Sequence, residues 1–182
     1  MSAEKAHSTA SDPSSASPGK ILLGNHNGVY VVRLEGDVRL NLCMPLEGFI
    51  SDMFAAKDFR AVLFDLESAR GIDSTSLGLL AKIALFTRDK GTVRPVVVGA
   101  DPGMCRLLDS MGFEDLMDYG EGLVAAPVIP QVTEEVLAEP QDEEATRQVV
   151  LDAHRVLMSL NEKNRETFRD LVASLEQCSL KP

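Results

Sequence analysis

The spacing of apolar positions changes several times along the chain, and each change predicts an element. Ile21, Leu22 and Leu23 form a short run closed by the turn-rich Gly24-Asn25-His26-Asn27-Gly28. Val29 to Leu34 is β-branched and aromatic, and Gly36-Asp37 punctuates its end. Two such runs around a short turn predict an antiparallel hairpin. Leu46, Phe49, Ile50, Met53 and Phe54 then recur every three or four residues, which predicts an amphipathic helix with Pro45 near its beginning. Ala61-Val62-Leu63-Phe64-Asp65-Leu66 reads as a buried strand. Leu77, Leu80, Ala81, Ala84, Leu85 and Thr87 mark a second helix, ending at Gly91. Val96-Val97-Val98 is another strand, broken by Gly99. Met104, Leu107, Leu108 and Met111 make a short third helix, closed by Gly112. Phe113, Leu116 and Met117 are expected to supply a last short strand.

Strands alternating with helices at these intervals predict an α/β domain with parallel crossovers over residues 20–119. The opening hairpin makes the sheet mixed, with about five strands and packed helices. Residues 1–19 are rich in Ser, Thr and Ala and hold no aromatic or branched aliphatic side chain, so they are read as a disordered tail. Residues 120–141 are read as an acidic linker or strap. Pro127, Pro130 and Pro140 interrupt them, and no Lys or Arg falls between Arg106 and Arg147. Residues 142–182 form a C-terminal helical extension. Val149, Val150, Ala153, Val156 and Leu157 give its first helix an apolar face, and Phe168, Leu171, Val172 and Leu175 stripe the second. Ser159-Leu160-Asn161-Glu162 has capping-box spacing and sets the expected boundary between them. Such a helical hairpin is expected to pack on the domain or to form a homodimer through its stripes.

Composition narrows the class. The chain has 182 residues, 45% of them hydrophobic, with a net charge of −10 and a pI near 4.7. An acidic chain lacks the basic face of a nucleic-acid binder, and its expected partners are other proteins. No run approaches the ~18–20 apolar residues that cross a bilayer, and no signal peptide is legible. Cys43, Cys105 and Cys178 are widely spaced, which suggests neither a zinc site nor a disulfide framework. A cytoplasmic protein is expected.

The candidate chemistry lies in Gly71-Ile72-Asp73-Ser74-Thr75-Ser76-Leu77-Gly78-Leu79-Leu80, between a buried strand and an amphipathic helix. The first N–H groups of a helix lack intrahelical partners and carry the positive end of the macrodipole. A phosphate placed there is held by amides and dipole together. It would also add roughly −1.5 to −2 charges to whatever surface docks at the strand end. Asp, Ser and Thr are equally the ordinary N-caps of any helix. From the residues alone both readings stand.

Asp73-Ser74-Thr75-Ser76-Leu77-Gly78 resembles the D-S-[ST]-[GS]-L-G signature of STAS-domain anti-sigma factor antagonists. Val62-Leu63-Phe64-Asp65-Leu66 is similar to the strand that precedes that signature, and Leu34-Glu35-Gly36-Asp37 to the family's second strand. Val96-Val97-Val98-Gly99 and Leu107-Leu108-Asp109-Ser110-Met111-Gly112-Phe113 resemble its late strand and third helix. The likeness runs over about 100 residues. It implies a STAS fold with Ser74 as the phosphorylated serine and Thr75 as the second choice. Asp73, Ser74, Thr75, Ser76, Leu77 and Arg39 would then form the partner-binding surface. Ser76 stands in place of the more usual glycine, and Arg39 reverses the charge typical of its position. The resemblance further implies an anti-sigma factor that is also a serine kinase, released when Ser74 is phosphorylated. A serine/threonine phosphatase, in some systems part of a response regulator, would reverse the mark. Nucleotide and metal belong to those partners, so no cofactor is expected here. The alternative within the resemblance is a non-switching STAS module of a transporter-associated complex.

Other residues point to little chemistry. His7, His26 and His154 have no metal-ligand spacing. Asp65 and Glu67 are read as capping or solvating a loop rather than as an acid–base pair. Cys105 and the methionines are read as packing. There is no Walker motif, and Gly99-Ala100-Asp101-Pro102-Gly103 lacks dinucleotide-loop spacing. No nucleophile–base cluster can be assembled from the sequence, and an enzyme is not expected.

Overall fold

Asn27 and Gly28 adopt φ of 50° and 83°, the backbone that a two-residue hairpin turn of type I′ requires. They join β1 (Lys20–His26) to β2 (Val29–Val38), antiparallel from Lys20 opposite Glu35 to His26 opposite Val29. The structure, a computed structural model, describes residues 18–120, 131–138 and 142–178. Most of the expected N-terminal tail and part of the expected linker lie outside those residues.

Helix α1 (Cys43–Ala55) carries the chain from β2 to the parallel strand β3 (Ala61–Ile72). Helix α2 (Ser74–Asp89) carries it from β3 to the parallel strand β4 (Val96–Val98). Helix α3 (Pro102–Met111) follows, with Asp101 as its N-cap and Gly112 ending it at φ 84°. The sheet order is β4-β3-β2-β1-β5, so the α/β class with a five-stranded mixed sheet and packed helices is what the chain adopts. Its core gathers Ile21, Val32, Leu34, Phe64, Leu66, Leu46, Ile50, Leu77 and Leu80, each at most 2% exposed.

Three local expectations are corrected. The strand expected to end at Leu66 runs on to Ile72, because its second half pairs with Glu35 to Val38 of β2. The last strand comes not from Phe113, Leu116 and Met117 but from β5 (Glu134–Val136), which pairs antiparallel with β1. Phe113 and Met117 instead close a tight turn, since the Met117 amide donates to the Phe113 carbonyl at 3.0 Å. Nearby, Asp118 makes only an isolated bridge to Val96. The third concerns α4 (Glu143–Leu160) and α5 (Glu162–Cys178). Asn161, rather than Ser159, caps α5: its Oδ1 accepts from the Asn164 amide at 2.8 Å, while the Ser159 hydroxyl donates to the Val156 carbonyl.

Asp65 caps the chain locally, its Oδ1 accepting from the Glu67 amide at 3.2 Å, but it is not solvated. It is 3% exposed and accepts from Arg33 Nε at 2.7 Å across β2 and β3. A buried carboxylate of this kind is tolerable only while paired. Arg33→Met is therefore expected to cost about 2–4 kcal/mol in urea unfolding, below the fully buried case because Arg33 is 30% exposed. The double variant Arg33→Met/Asp65→Leu should regain most of that loss.

Candidate functional site

Strand β3 ends at Ile72, and the next residue turns the chain into α2. Asp73 is extended (φ −76°, ψ 167°), and its Oδ1 accepts from the Ser76 amide at 2.8 Å. The first intrahelical bond runs from the Leu77 amide to the Asp73 carbonyl, at 2.9 Å. Asp73 is thus the N-cap, and Ser74 is the first helical residue. The Asp73 amide donates to the Val38 carbonyl, which brings the end of β2 beside the start of α2.

This junction sorts the residues of the motif. Ser74 and Asp73 are half-buried and Arg39 is exposed. Thr75, Ser76 and Leu77 are 5%, 1% and 1% exposed, so the structure turns three of the expected partner-facing residues into the core. The reason is helical geometry: after a strand that enters the sheet centre, the first turn of α2 must bury most of its circumference. Ser76 Oγ lies 3.4 Å from Cys43 Sγ of α1. Burial pushes the Cys43 thiol up to about 12, against the opposing pull of the Ser76 hydrogen bond.

Arg39 reaches back to its own strand end, donating through Nη2 to Asp37 Oδ2 at 2.7 Å. That hydrogen bond, then the charges of Asp37 and Asp73, raise its guanidinium further above the ordinary range. The exposed rim of the site therefore carries two carboxylates and one cation.

The Ser74 side chain has a partner that the sequence reading did not assign. His154 of α4 is 2% exposed, and its Nε2 lies 2.9 Å from Ser74 Oγ. Its Nδ1 is 2.7 Å from the Val150 carbonyl, which can only accept. In the neutral ring Nδ1 carries the proton, and Nε2 is left to accept from the Ser74 hydroxyl. The ring also meets Phe168 of α5 edge to face, with centroids 5.0 Å apart. One turn further along α2, Gly78 lies against Ala153: a β-carbon at 78 would fall 2.7 Å from both the carbonyl carbon and the β-carbon of that residue. The hairpin thus packs on the helices of the domain that precedes it. One signal could have revealed His154: it lies four residues after Val150 and three before Leu157, on the apolar face of α4.

A serine hydroxyl donating to an oriented imidazole has the spacing of a nucleophile and its base. Here the imidazole is buried between α2 and α5, and a backbone carbonyl orients it. Among the described residues, no group of three or more His, Cys, Asp and Glu side chains is placed to hold a metal ion. No helix among them is long and apolar enough to cross a membrane.

No family model and no curated protein matches the chain. Among solved structures it is similar to the STAS domain of an antisigma-factor antagonist from Rhodobacter sphaeroides. The two are 20% identical, the match covers 47% of this chain and 90% of that one, and the TM-score is 0.33. A likeness of that size carries no functional weight.

Two measurements check the local physics. Cys43 should resist iodoacetamide in the native protein at pH 8, because its raised thiol leaves almost no thiolate, and should react once urea is added. Rapid native alkylation of Cys43 would contradict the packing described. Asp73→Ala should lower stability by about 1 kcal/mol through loss of the cap, with Asp73→Asn much milder.

Proposed function

We propose that this chain is an anti-sigma factor antagonist that works by partner switching, with Ser74 as the phosphorylated residue. One observation carries the reading. The motif Asp73-Ser74-Thr75-Ser76-Leu77-Gly78 falls on a strand-to-helix junction, and Ser74 is the hydroxyl in it that is not buried. Thr75, the second choice, is 5% exposed and is the weaker substrate for an external kinase.

In this reading the unphosphorylated protein occupies an anti-sigma factor through the surface around Asp73, Ser74 and Arg39. The Arg39 cation, set beside two carboxylates, gives that surface mixed charge and favours a partner with complementary charges. A serine kinase transfers phosphate to Ser74 Oγ. The new dianion sits beside the Asp73 carboxylate and repels the docked acceptor. A serine/threonine phosphatase resets the protein. The sigma factor is free while the antagonist is unphosphorylated.

Co-expression with the cognate kinase should add a single phosphate by intact-mass spectrometry, and Ser74→Ala should remove it. If phosphate persists both in Ser74→Ala and in the Ser74/Thr75 double alanine, the assignment is wrong. Ser74→Asp should weaken anti-sigma binding about tenfold or more, a change of about 1.4 kcal/mol. An unchanged affinity would argue for a module that does not switch.

A further inference from the structure

The C-terminal hairpin does more than extend the domain, because its first helix lies on the face that carries Ser74. Two contacts one turn apart on α2 define the seam. Ser74 Oγ meets His154 Nε2 at 2.9 Å, and Gly78 has no room for a β-carbon beneath Ala153. Behind His154, Phe168 of α5 is 8% exposed and meets the ring edge to face, so it shields the imidazole on that side. The turn between the helices is held independently. Asn164 Nδ2 donates to the Met111 carbonyl at the end of α3 and to the Leu157 carbonyl, at 2.8 and 3.0 Å.

We propose that α4 and α5 form an intramolecular cover over Ser74 that phosphorylation of Ser74 displaces. The proposal rests on the reading of Ser74 as the phosphorylated residue. Phosphorylation replaces the hydroxyl proton with a phosphoryl group transferred from a nucleoside triphosphate by the kinase, and the proton leaves to solvent or to the kinase's base. A 2.9 Å contact between Oγ and Nε2 leaves no space for phosphorus and its three oxygens. The seryl oxygen also loses the proton that made the bond to Nε2, so the existing hydrogen bond is broken. The steric term therefore pushes α4 away from α2. The same geometry makes the hairpin a resident competitor: a kinase or docking partner that engages the half-buried Ser74 hydroxyl competes with His154 of α4 for it.

The test uses the full chain with phosphoserine installed at position 74 by genetic code expansion, read by hydrogen exchange and mass spectrometry. Peptides from residues 143–160 should exchange at least tenfold faster than in the unmodified chain, with β2, β3 and α1 unchanged. Unaltered protection of α4 would overturn the proposal, as would loss of protection across the whole sheet. Gly78→Ala supplies the same wedge without phosphate. It should loosen α4 and raise the rate of Ser74 phosphorylation by the cognate kinase severalfold, and a wild-type rate in a loosened variant would refute the covering role. The exchange measurement needs no kinase. Absence of any kinase acting on Ser74 would remove the functional reading while leaving the hairpin result intact, and an unmoved hairpin would leave the functional reading standing.

Discussion

Helix α2 is enclosed on more than one side, and much of the architecture follows from satisfying it. Ten of its residues from Thr75 to Thr87 are buried, including Leu77, Leu79, Leu80, Ala81, Ile83 and Ala84. A surface helix covers its apolar stripe with one neighbour, whereas a helix that is apolar nearly all round needs cover from several directions. The sheet and α1 supply part of that cover. The rest comes from α4, which lies along α2 and approaches closely enough that position 78 has to be glycine. The C-terminal hairpin thus supplies part of the cover that α2 needs.

That requirement explains why the polar start of α2 is not simply open. A helix N-terminus offers unpaired amides and the positive end of a dipole. Asp73 uses part of this by accepting from the Ser76 amide, and His154 Nε2 accepts from the Ser74 hydroxyl. The imidazole can be buried here because both ring nitrogens are partnered, one by Val150 and one by Ser74. A hydroxyl that only capped the helix would need no such partner. The contact joins the first turn of α2 to a helix eighty residues later in the chain.

The legible parts of the sequence were those in which a local pattern fixes a local conformation. The Asn27-Gly28 turn, the Pro45 helix, the β-branched strands, Gly112 after α3 and Asp73 before α2 can all be read from residues within one or two turns of each other. The errors arose where pairing at a distance decided the outcome. The second half of β3, from Glu67 to Ile72, lacks a strong strand pattern and is extended because β2 pairs with it. Glu134–Val136 sits in a proline-interrupted acidic stretch and becomes a strand only because the β1 edge is free to accept it. Asp65, read as capping or solvating a loop, does accept from the Glu67 amide but is buried and paired with Arg33, thirty-two positions away.

The sequence by itself determined an α/β domain, a helical hairpin after it, and a hydroxyl-rich strand-to-helix junction. Apolar periodicity and turn chemistry are properties of neighbouring residues, and they suffice for those features. Only the tertiary structure decided which hydroxyl of the junction stays near the surface and what lies on it. Burial turns Thr75 and Ser76 inward, and α4 brings His154 to Ser74. No periodicity encodes that meeting, because it depends on how two helices far apart in the chain pack at a glycine.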